Sequence, residues 1–275
     1  MCTRRLPPDP RENTMKSFAK LISTGMLALA SLPAAAILPL ITDDTGTQRP
    51  NKTTHQVEFS YDRLRDRDAG VTTKSGVPGF TYTYGISDPL DVYIGTSYAR
   101  ITVDDPATGR TRVSGQGDTG LGVKWRFYDE KNLSFAIKPQ ITFATGDENK
   151  GLGTGRTSGA ATLIMTYDAD PVTLLANVAY MRNNYKLAVD RQALRSDLVR
   201  FSAAALFKVH ENARLFADIG SATNADRTSN KSPAYFLFGL IYSPNKDIDF
   251  DAGYKLGINN PEIDRTWSIG ATFRF

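Results

Sequence analysis

The stretch that decides the fold is the last one: residues 265–275 read Arg-Thr-Trp-Ser-Ile-Gly-Ala-Thr-Phe-Arg-Phe. Trp267, Ile269, Ala271, Phe273 and Phe275 alternate with polar or small residues. A period of two predicts a β-strand with one apolar and one polar face. A strand of about this length crosses a bilayer when tilted, whereas untethered chain ends usually fray. The stretch therefore indicates a strand of an outer-membrane β-barrel.

Composition allows one long β domain and argues against a nucleic-acid partner. The chain has 275 residues, 41% of them hydrophobic, and a formal net charge of +4. Residues 1–36 hold five of the 33 Lys and Arg residues and two of the 29 Asp and Glu residues, so the remainder is close to neutral. Nothing in this balance argues for nucleic acid as a partner. The only cysteine, Cys2, lies in the same segment, so no disulfide is predicted.

The first 36 residues are typical of an export signal. A basic start at Met15 is followed by an uncharged run from Leu21 and by small residues that end at Ala36. These are the three regions of a secretory signal peptide. We predict that translation starts at Met15, after a polar extension, and that cleavage follows Ala36. A membrane anchor is the alternative, which Pro33 and Pro39 disfavour because proline interrupts helices.

Alternating segments recur through the rest of the chain and predict twelve strands. Their predicted bounds are 56–64, 77–86, 90–103, 119–128, 133–143, 158–167, 172–182, 197–208, 213–221, 233–243, 248–256 and 265–275. Short connections alternate along the chain with connections that are mostly longer. Bacterial outer-membrane barrels show the same alternation of short periplasmic turns and longer outer loops, and their strand number is even.

The predicted fold class is therefore all-β: a single 12-stranded antiparallel transmembrane β-barrel of the bacterial outer membrane. It occupies residues 56–275 and follows a periplasmic segment at 37–55. A soluble β-sandwich is the alternative. Aromatic residues near the predicted strand ends disfavour it, because they match the interfacial girdles of membrane barrels.

The same alternation directs one set of charged side chains into the barrel. The predicted lumen-lining residues are Glu58, Asp62, Lys124, Arg126, Lys138, Arg200, Asp218, Asp249, Asp251, Lys255 and Arg274. Acidic members cluster on the predicted strands 56–64, 213–221 and 248–256 and basic members on 119–128, 133–143 and 197–208, so we expect two facing walls. Either the charges pair and fill a narrow barrel, or they line a constricted pore for small solutes. The first and last strands should pair to remove both edges, which is expected to bring Arg274 near Glu58.

Other kinds of site are poorly supported. The glycine-rich stretch 145–155 lacks the Gly-Lys-Ser/Thr pattern of a phosphate loop and is predicted as an outer loop. Asp43 and Asp44 are too few ligands for calcium, so a linker or an N-terminal plug is the better interpretation. His55 and His210 lie outside the predicted strands and face no suitable serine, which disfavours a barrel lipase. We predict no enzymatic activity, no cofactor and no metal.

Several stretches resemble a known family. Residues 39–48, 115–127, 136–140 and 151–155 are similar to segments of the MetA-pathway phenol-degradation family of outer-membrane β-barrel transporters. One departure is Ala144, where that family usually has proline before Thr-Gly-Asp. The resemblance implies a barrel associated with uptake of aromatic or other hydrophobic compounds, and it carries over no site residues.

We therefore expect a passive outer-membrane channel or transporter for small aromatic or hydrophobic compounds. Its expected partners are outer-membrane lipid, a small-molecule solute and the barrel-assembly machinery, which would recognise the strand ending at Phe275. The alternative is a non-conducting barrel with a structural or adhesive role through its outer loops.

Overall fold

The computed structural model describes residues 39–49 and 53–275. The predicted start at Met15 and the predicted cleavage after Ala36 lie outside the described residues. The strands are β1 (His55–Asp68), β2 (Val71–Ser87), β3 (Leu90–Asp105), β4 (Gly109–Gln116), β5 (Thr119–Glu130), β6 (Leu133–Phe143), β7 (Ser158–Ala169), β8 (Val172–Arg182), β9 (Asp197–His210), β10 (Ala213–Ala222), β11 (Ala234–Asn245), β12 (Ile248–Gly257) and β13 (Arg265–Arg274). Two short helical elements lie in loops, a 3-10 turn at Glu148–Lys150 and α1 at Ala188–Ala193. Within the described residues no helix has the length and apolar character needed to span a membrane.

The strands form one closed antiparallel sheet. β1 pairs with both β13 and β2, and β2 pairs with β3, which completes the circle. β3 pairs with β5 along its first half and with β4 along its second half. β4 and β5 thus share one position in the wall, and the architecture is a closed 12-stranded barrel, as predicted.

The terminal strand closes the barrel in the predicted way. β13 pairs with β1 from Gln56 opposite Arg274 to Arg65 opposite Arg265. The backbone N–H of His55 donates to the carbonyl oxygen of Phe275 at 2.9 Å, and the two rings stack with centroids 5.3 Å apart. The expectation that Arg274 lies near Glu58 was wrong in register, because Thr272 is the residue opposite Glu58.

The two ends of the barrel differ in their connections. One end has tight turns at 88–89, 131–132, 170–171, 211–212 and 246–247, and the opposite end has long loops at 144–157, 183–196, 223–233 and 258–264. In bacterial barrels the tight turns are periplasmic.

Two predicted outer loops were wrong. Residues 65–74 extend β1 and β2 to a two-residue turn, and residues 104–117 contain β4. The turn is made by Ala69 and Gly70, which both have positive φ. The sequence predicts loops at these extensions because their residues are polar on both faces. A hairpin that projects beyond the bilayer needs no apolar face.

The wall is apolar outside and polar inside. Trp125, Tyr180, Tyr242 and Trp267 are exposed near strand ends, as predicted for interfacial girdles. The inward positions carry most of the buried polar and charged side chains. This distribution is the inverse of a soluble β-sandwich and belongs to a barrel in a bacterial outer membrane.

Candidate functional site

A segment of the chain that precedes β1 lies inside the barrel. Residues 39–49 form no strand, yet most of their side chains are buried by the inner wall; these are Leu40, Thr42, Asp43, Thr45, Thr47 and Gln48. We call residues 39–49 the lumen segment. The sequence-based division treated 37–55 as periplasmic and separate from the barrel. The lumen segment instead packs within it, because the wall supplies partners that the segment's own sequence does not reveal.

Two lysines of the wall hold the centre of the lumen segment. Nζ of Lys124, on β5, lies 2.9 Å from Oδ1 of Asp43, and Nζ of Lys138, on β6, lies 2.5 Å from Oδ2 of the same carboxylate. Lys124 also donates to the carbonyl oxygen of Asp44 at 2.9 Å. Its side chain is 0% exposed. Charges buried to this degree require ionic and hydrogen-bonding partners, and the lumen segment supplies them.

Asp218, on β10, holds a second point of the lumen segment. Its Oδ2 atom accepts hydrogen bonds from the backbone N–H groups of Ile41 and Thr42, each at 2.8 Å. Its Oδ1 atom accepts from the hydroxyls of Thr42 and Tyr235, each at 2.9 Å. Hydrogen bonds to an ionised acceptor are stronger than neutral ones. Asp218 therefore acts as an anchor for the segment.

Between these anchors and the barrel end, hydroxyl and backbone amide groups of the lumen segment make further contacts with the wall. The backbone N–H of Thr45 donates to Thr166 on β7 at 3.0 Å, and its hydroxyl lies 2.5 Å from that of Ser134 on β6. The backbone N–H of Gln48 lies 3.2 Å from both carboxylate oxygens of Asp91 on β3. These contacts run through side chains of the wall, so the lumen segment is attached to the barrel without being a strand of it.

The beginning of the lumen segment lies against an apolar part of the inner wall. Leu40 packs in a buried cluster contributed by β8 to β11. The cluster consists of Leu40, Leu175, Ala204, Leu206, Phe216, Tyr235, Leu237 and Ile241. The interior is therefore polar on some strands and apolar on others.

Four carboxylates form an acidic patch on the strands that flank β13. We call this patch the acidic wall; it consists of Glu58, Asp62, Asp249 and Asp251 on β1 and β12. Asp249 accepts from Nη2 of Arg274 at 2.8 Å, and Asp62 accepts from the Ser268 hydroxyl at 2.5 Å.

By strand alternation all eleven predicted lumen residues belong to the inner face of the wall, and among them Arg274 pairs with Asp249 on the neighbouring strand rather than across the lumen. Lys255 lies 2.7 Å from Glu262 at the outer rim, and Arg126 lies 3.3 Å from Asp129 on its own strand. Arg200, on β9, makes no ion pair with the described residues. Twelve strands enclose a lumen wider than one filled by wall side chains alone. Most of these charges are therefore satisfied along the wall or by the lumen segment, whereas the carboxylate oxygens of Asp251 accept no hydrogen bond from the described residues.

The sequence favoured a linker or an N-terminal plug at Asp43 and Asp44, but it did not assign the residues of the lumen segment to the site. Asp43 and Thr42 make the main contacts of the lumen segment with the wall. Near the end of the segment, Asp91 accepts a hydrogen bond from the backbone N–H of Gln48. One signal was available. Asp43 and Asp44 are the only charges between residues 37 and 48, while the basic wall residues had no predicted partner on the neighbouring strands.

Both histidines make contacts at the barrel end with tight turns. Nδ1 of His55 lies 2.7 Å from the hydroxyl of Tyr82, and Nδ1 of His210 accepts from the backbone N–H of Asn212 in a tight turn. Across the described ranges, no group of three or more His, Cys, Asp or Glu side chains is arranged to hold a metal ion.

The outer loop at 144–157 packs against the inner wall and against the next long loop. Leu152 is buried against Val77 and Ala99 at the outer end of the inner wall. Glu148 lies 2.5 Å from Nζ of Lys186 in the next long loop. The hydrogen bond to Lys186 holds the pKa of Glu148 below its usual value. The outer end is thus partly covered by loops that are tied to each other.

Known structures share this fold. An outer membrane channel from Pseudomonas putida F1 aligns with a TM-score of 0.62 and 14% identity, over 88% of this chain and 98% of that one. The NanC porin aligns with a TM-score of 0.56 and 11% identity, over 80% of this chain and all of that one. The translocator domain of the autotransporter NalP from Neisseria meningitidis aligns with a TM-score of 0.53 and 10% identity, over 96% of this chain and 98% of that one. At these identities the likeness concerns the fold alone.

No curated protein matches the sequence. A family model does match, from residue 41 to residue 275, and thus includes most of the lumen segment together with the whole barrel. The chain belongs to the family described as "Putative MetA-pathway of phenol degradation".

Proposed function

We propose that the protein is a passive channel for small solutes across the outer membrane, and that its lumen segment is a plug. The observation that carries the proposal is the ion-paired attachment of Asp43 to Lys124 and Lys138 inside a closed barrel. A barrel with only a structural role needs no segment held apart from its wall, since smaller barrels are filled by wall side chains alone. A separate segment held by side-chain contacts is a part that can leave and open a path.

Small aromatic or hydrophobic compounds are the proposed solutes. The apolar cluster around Leu40 would give such compounds a surface inside the lumen once the plug has moved. Charged residues elsewhere on the wall would keep the path hydrated. The family description, which names phenol degradation, supports the same class.

The fold-level likeness to an outer membrane channel adds support of a weaker kind, because barrels of one fold serve different functions. No catalytic role is proposed. The terminal strand ending at Phe275 is proposed as the element that the barrel-assembly machinery recognises, and the apolar outer face as the contact with lipid.

Conductance in planar bilayers tests the channel. Three proteins are compared: the wild type, a variant with residues 39–49 replaced by a Gly-Ser linker of equal length, and Asp43→Asn. The expected result is rare openings in the wild type and frequent, larger openings in both variants. Asp197→Asn is the control, since its ion pair with Arg182 is exposed at the rim. If correctly folded linker and Asp43→Asn proteins both fail to conduct, the channel is excluded and the structural or adhesive alternative is favoured.

Liposome swelling tests the solute class. Liposomes that contain the linker variant are expected to swell faster in benzoate than in a sugar of similar size, because the apolar cluster favours an aromatic ring. Equal rates for both solutes would contradict the aromatic preference while leaving the channel itself intact.

A further inference from the structure

A group of cations lies on the outer surface of the wall, at the end of the barrel that carries the long loops. By strand alternation they lie on the outward face of five neighbouring strands, from β13 through β1, β2 and β3 to β4, and all of them are exposed. Because neighbouring strands are about 4.8 Å apart, the group is about 19 Å wide. We call it the outer basic face; it consists of Arg63, Arg65, Lys74, Arg100, Arg112 and Arg265.

The strand register places like charges of the outer basic face directly beside one another. Arg65 is opposite Arg265 on one side and opposite Lys74 on the other. Lys74 continues this row through Thr102 to Arg112. Like charges that lie directly opposite each other destabilise a sheet. The fold itself gains nothing from this row, and an anion lying over it would relieve the repulsion.

Asp104, on β3, compensates only one edge of the outer basic face. Nε of Arg110 lies 2.5 Å from its Oδ1 atom, and Nζ of Lys74 lies 3.9 Å from its Oδ2 atom. Arg112 also acts on Asp104 through its charge. One carboxylate is therefore shared among three cations.

The remaining cations of the outer basic face have no such partner in the described part of the chain. The side chains of Arg63, Arg65 and Arg265 make no ion pair and no hydrogen bond there. Two further carboxylates of this rim, Asp66 and Asp264, accept hydrogen bonds from backbone N–H groups. The face therefore keeps an excess of positive charge.

Aromatic residues place the outer basic face at the level of the lipid headgroups. Trp267 is opposite Arg63 and is two residues from Arg265, about 7 Å along β13. The Tyr61 hydroxyl lies beside Gly76, where an added Cβ atom would meet it at 2.7 Å. Such aromatic residues mark the boundary between acyl chains and headgroups in membrane barrels. The cations at and just beyond this boundary therefore face headgroups.

We propose that the outer basic face binds the phosphate groups of a glycolipid in the outer leaflet of the membrane. A phosphorylated sugar headgroup has the opposite charge and lies at the same level. Arginine supplies five of the six cations, and its planar fork matches the oxygen atoms of a phosphate.

The site lies on one side of the barrel and includes the seam where the sheet closes. Arg65 and Arg265 lie on the two strands of that seam, so a phosphate between them joins the first strand to the last. On another side of the barrel, Arg182 at the same end already has a carboxylate partner, Asp197, at 2.6 Å. The bound lipid thus clamps the outer end of the seam, whether or not the barrel conducts.

The test uses lipid A as the probe and native mass spectrometry of the protein in detergent as the measurement. Lipid A that carries both phosphates is compared with the same lipid after both phosphates have been removed. We expect wild type to bind the phosphorylated form at least about tenfold more tightly. Arg65→Gln combined with Arg265→Gln should weaken that binding about tenfold or more, because each arginine near a lipid surface contributes about 1 kcal/mol.

The matched control is Arg182→Gln combined with Lys186→Gln, which removes the same charge from another side of the outer rim and should bind like wild type. Folding of each variant is checked by its change in electrophoretic mobility on heating, and the comparison of the two lipids on wild type needs no variant. Equal binding of the two lipids would overturn the proposal, as would equal binding of phosphorylated lipid A to wild type and to the double arginine variant.

Two competitors identify a different occupant. Displacement of lipid A by an equal concentration of inorganic phosphate would assign the face to a free anion. Tighter binding of polyglutamate than of lipid A would assign it to an acidic protein partner. Either result would overturn the lipid assignment, and neither depends on the outcome of the channel assay.

Discussion

The carboxylate of Asp43 bridges two lysines of the barrel wall: its Oδ1 atom lies 2.9 Å from Nζ of Lys124, and its Oδ2 atom lies 2.5 Å from Nζ of Lys138. One residue of the lumen segment thereby neutralises two cations that have little access to water. The relationship is asymmetric in its consequences. Removing the aspartate leaves two buried charges on the wall, and this makes it the most sensitive point of the plug.

Asp43→Asn should loosen the plug more than any other single polar substitution in the segment. Removing one partner of a buried ion pair costs about 3–5 kcal/mol, which corresponds to a shift of about 10²- to 10⁴-fold in the equilibrium between plugged and open states. The measurement is open probability in planar bilayers. Asp44→Asn is the matched control, because its carboxylate lies farther from Lys124, at 3.7 Å, and should have a smaller effect. Equal open probabilities in both variants would contradict the role given to Asp43.

Leu40→Ala should also release the plug, for a different reason. Leu40 is buried in the apolar cluster, and a buried Leu→Ala change costs about 2–5 kcal/mol. Because the loss falls on the contact between segment and wall, hydrogen exchange should accelerate for the backbone amides of residues 40–48 and remain unchanged in β8 to β11. Faster exchange throughout those strands would mean that the leucine stabilises the barrel rather than the plug.

The contact between outer loops should fail at acidic pH. The hydrogen bond to Lys186 lowers the pKa of Glu148 in the folded state. A carboxylate of this kind contributes stability above its unfolded pKa, about 4.3, and the contribution is lost as pH falls through the lowered folded pKa. A nitroxide on a cysteine at position 149 should therefore be restrained at neutral pH and become mobile as the pH falls below the usual pKa of a glutamate. In a Glu148→Gln background the label should be mobile at every pH, and a restrained label there would sink the idea.

A charged residue on the outer face of the terminal strand should destabilise the barrel. Ile269 is 59% exposed near the middle of β13, where the wall faces lipid. An arginine at the bilayer midplane destabilises such barrels by about 2–4 kcal/mol, so Ile269→Arg should lower the urea midpoint of unfolding in lipid vesicles. Ile258→Arg is the control: Ile258 is 56% exposed but lies in the loop after β12. A similar loss in both variants would contradict the assignment of β13 to the membrane.

The barrel could be predicted because alternation is a local property. Trp267 and Ile269 face one side of their strand and Thr266 and Ser268 the other, whatever lies next to them. All eleven charged residues assigned to the interior by this rule do lie on the inner face. The rule failed only where the chain leaves the bilayer, at the β1–β2 extension and at β4, since no apolar face is required there.

The contents of the lumen could not be predicted in the same way. Residues 39–49 have no periodicity, and their hydrogen-bond partners are up to 177 residues away along the chain, as in the contact of Ile41 with Asp218. Side-chain alternation placed Lys124 and Asp251 on the inner face, but it could not predict which charged residues would lie beside each of them. That depends on the diameter of the closed barrel and on what occupies it.

By itself, the sequence determined the twelve membrane-crossing strands, their faces and the closure of the last strand on the first, because side-chain alternation and turn residues act over a few neighbouring positions. Only the tertiary structure decided that the lumen is crossed by the chain's own N-terminal segment. It also decided that Asp43 and Asp218 act as anchors and that Asp251 is left facing other carboxylates. Electrostatic pairing in a buried space is settled by three-dimensional distance, and that distance exists only once the barrel has closed.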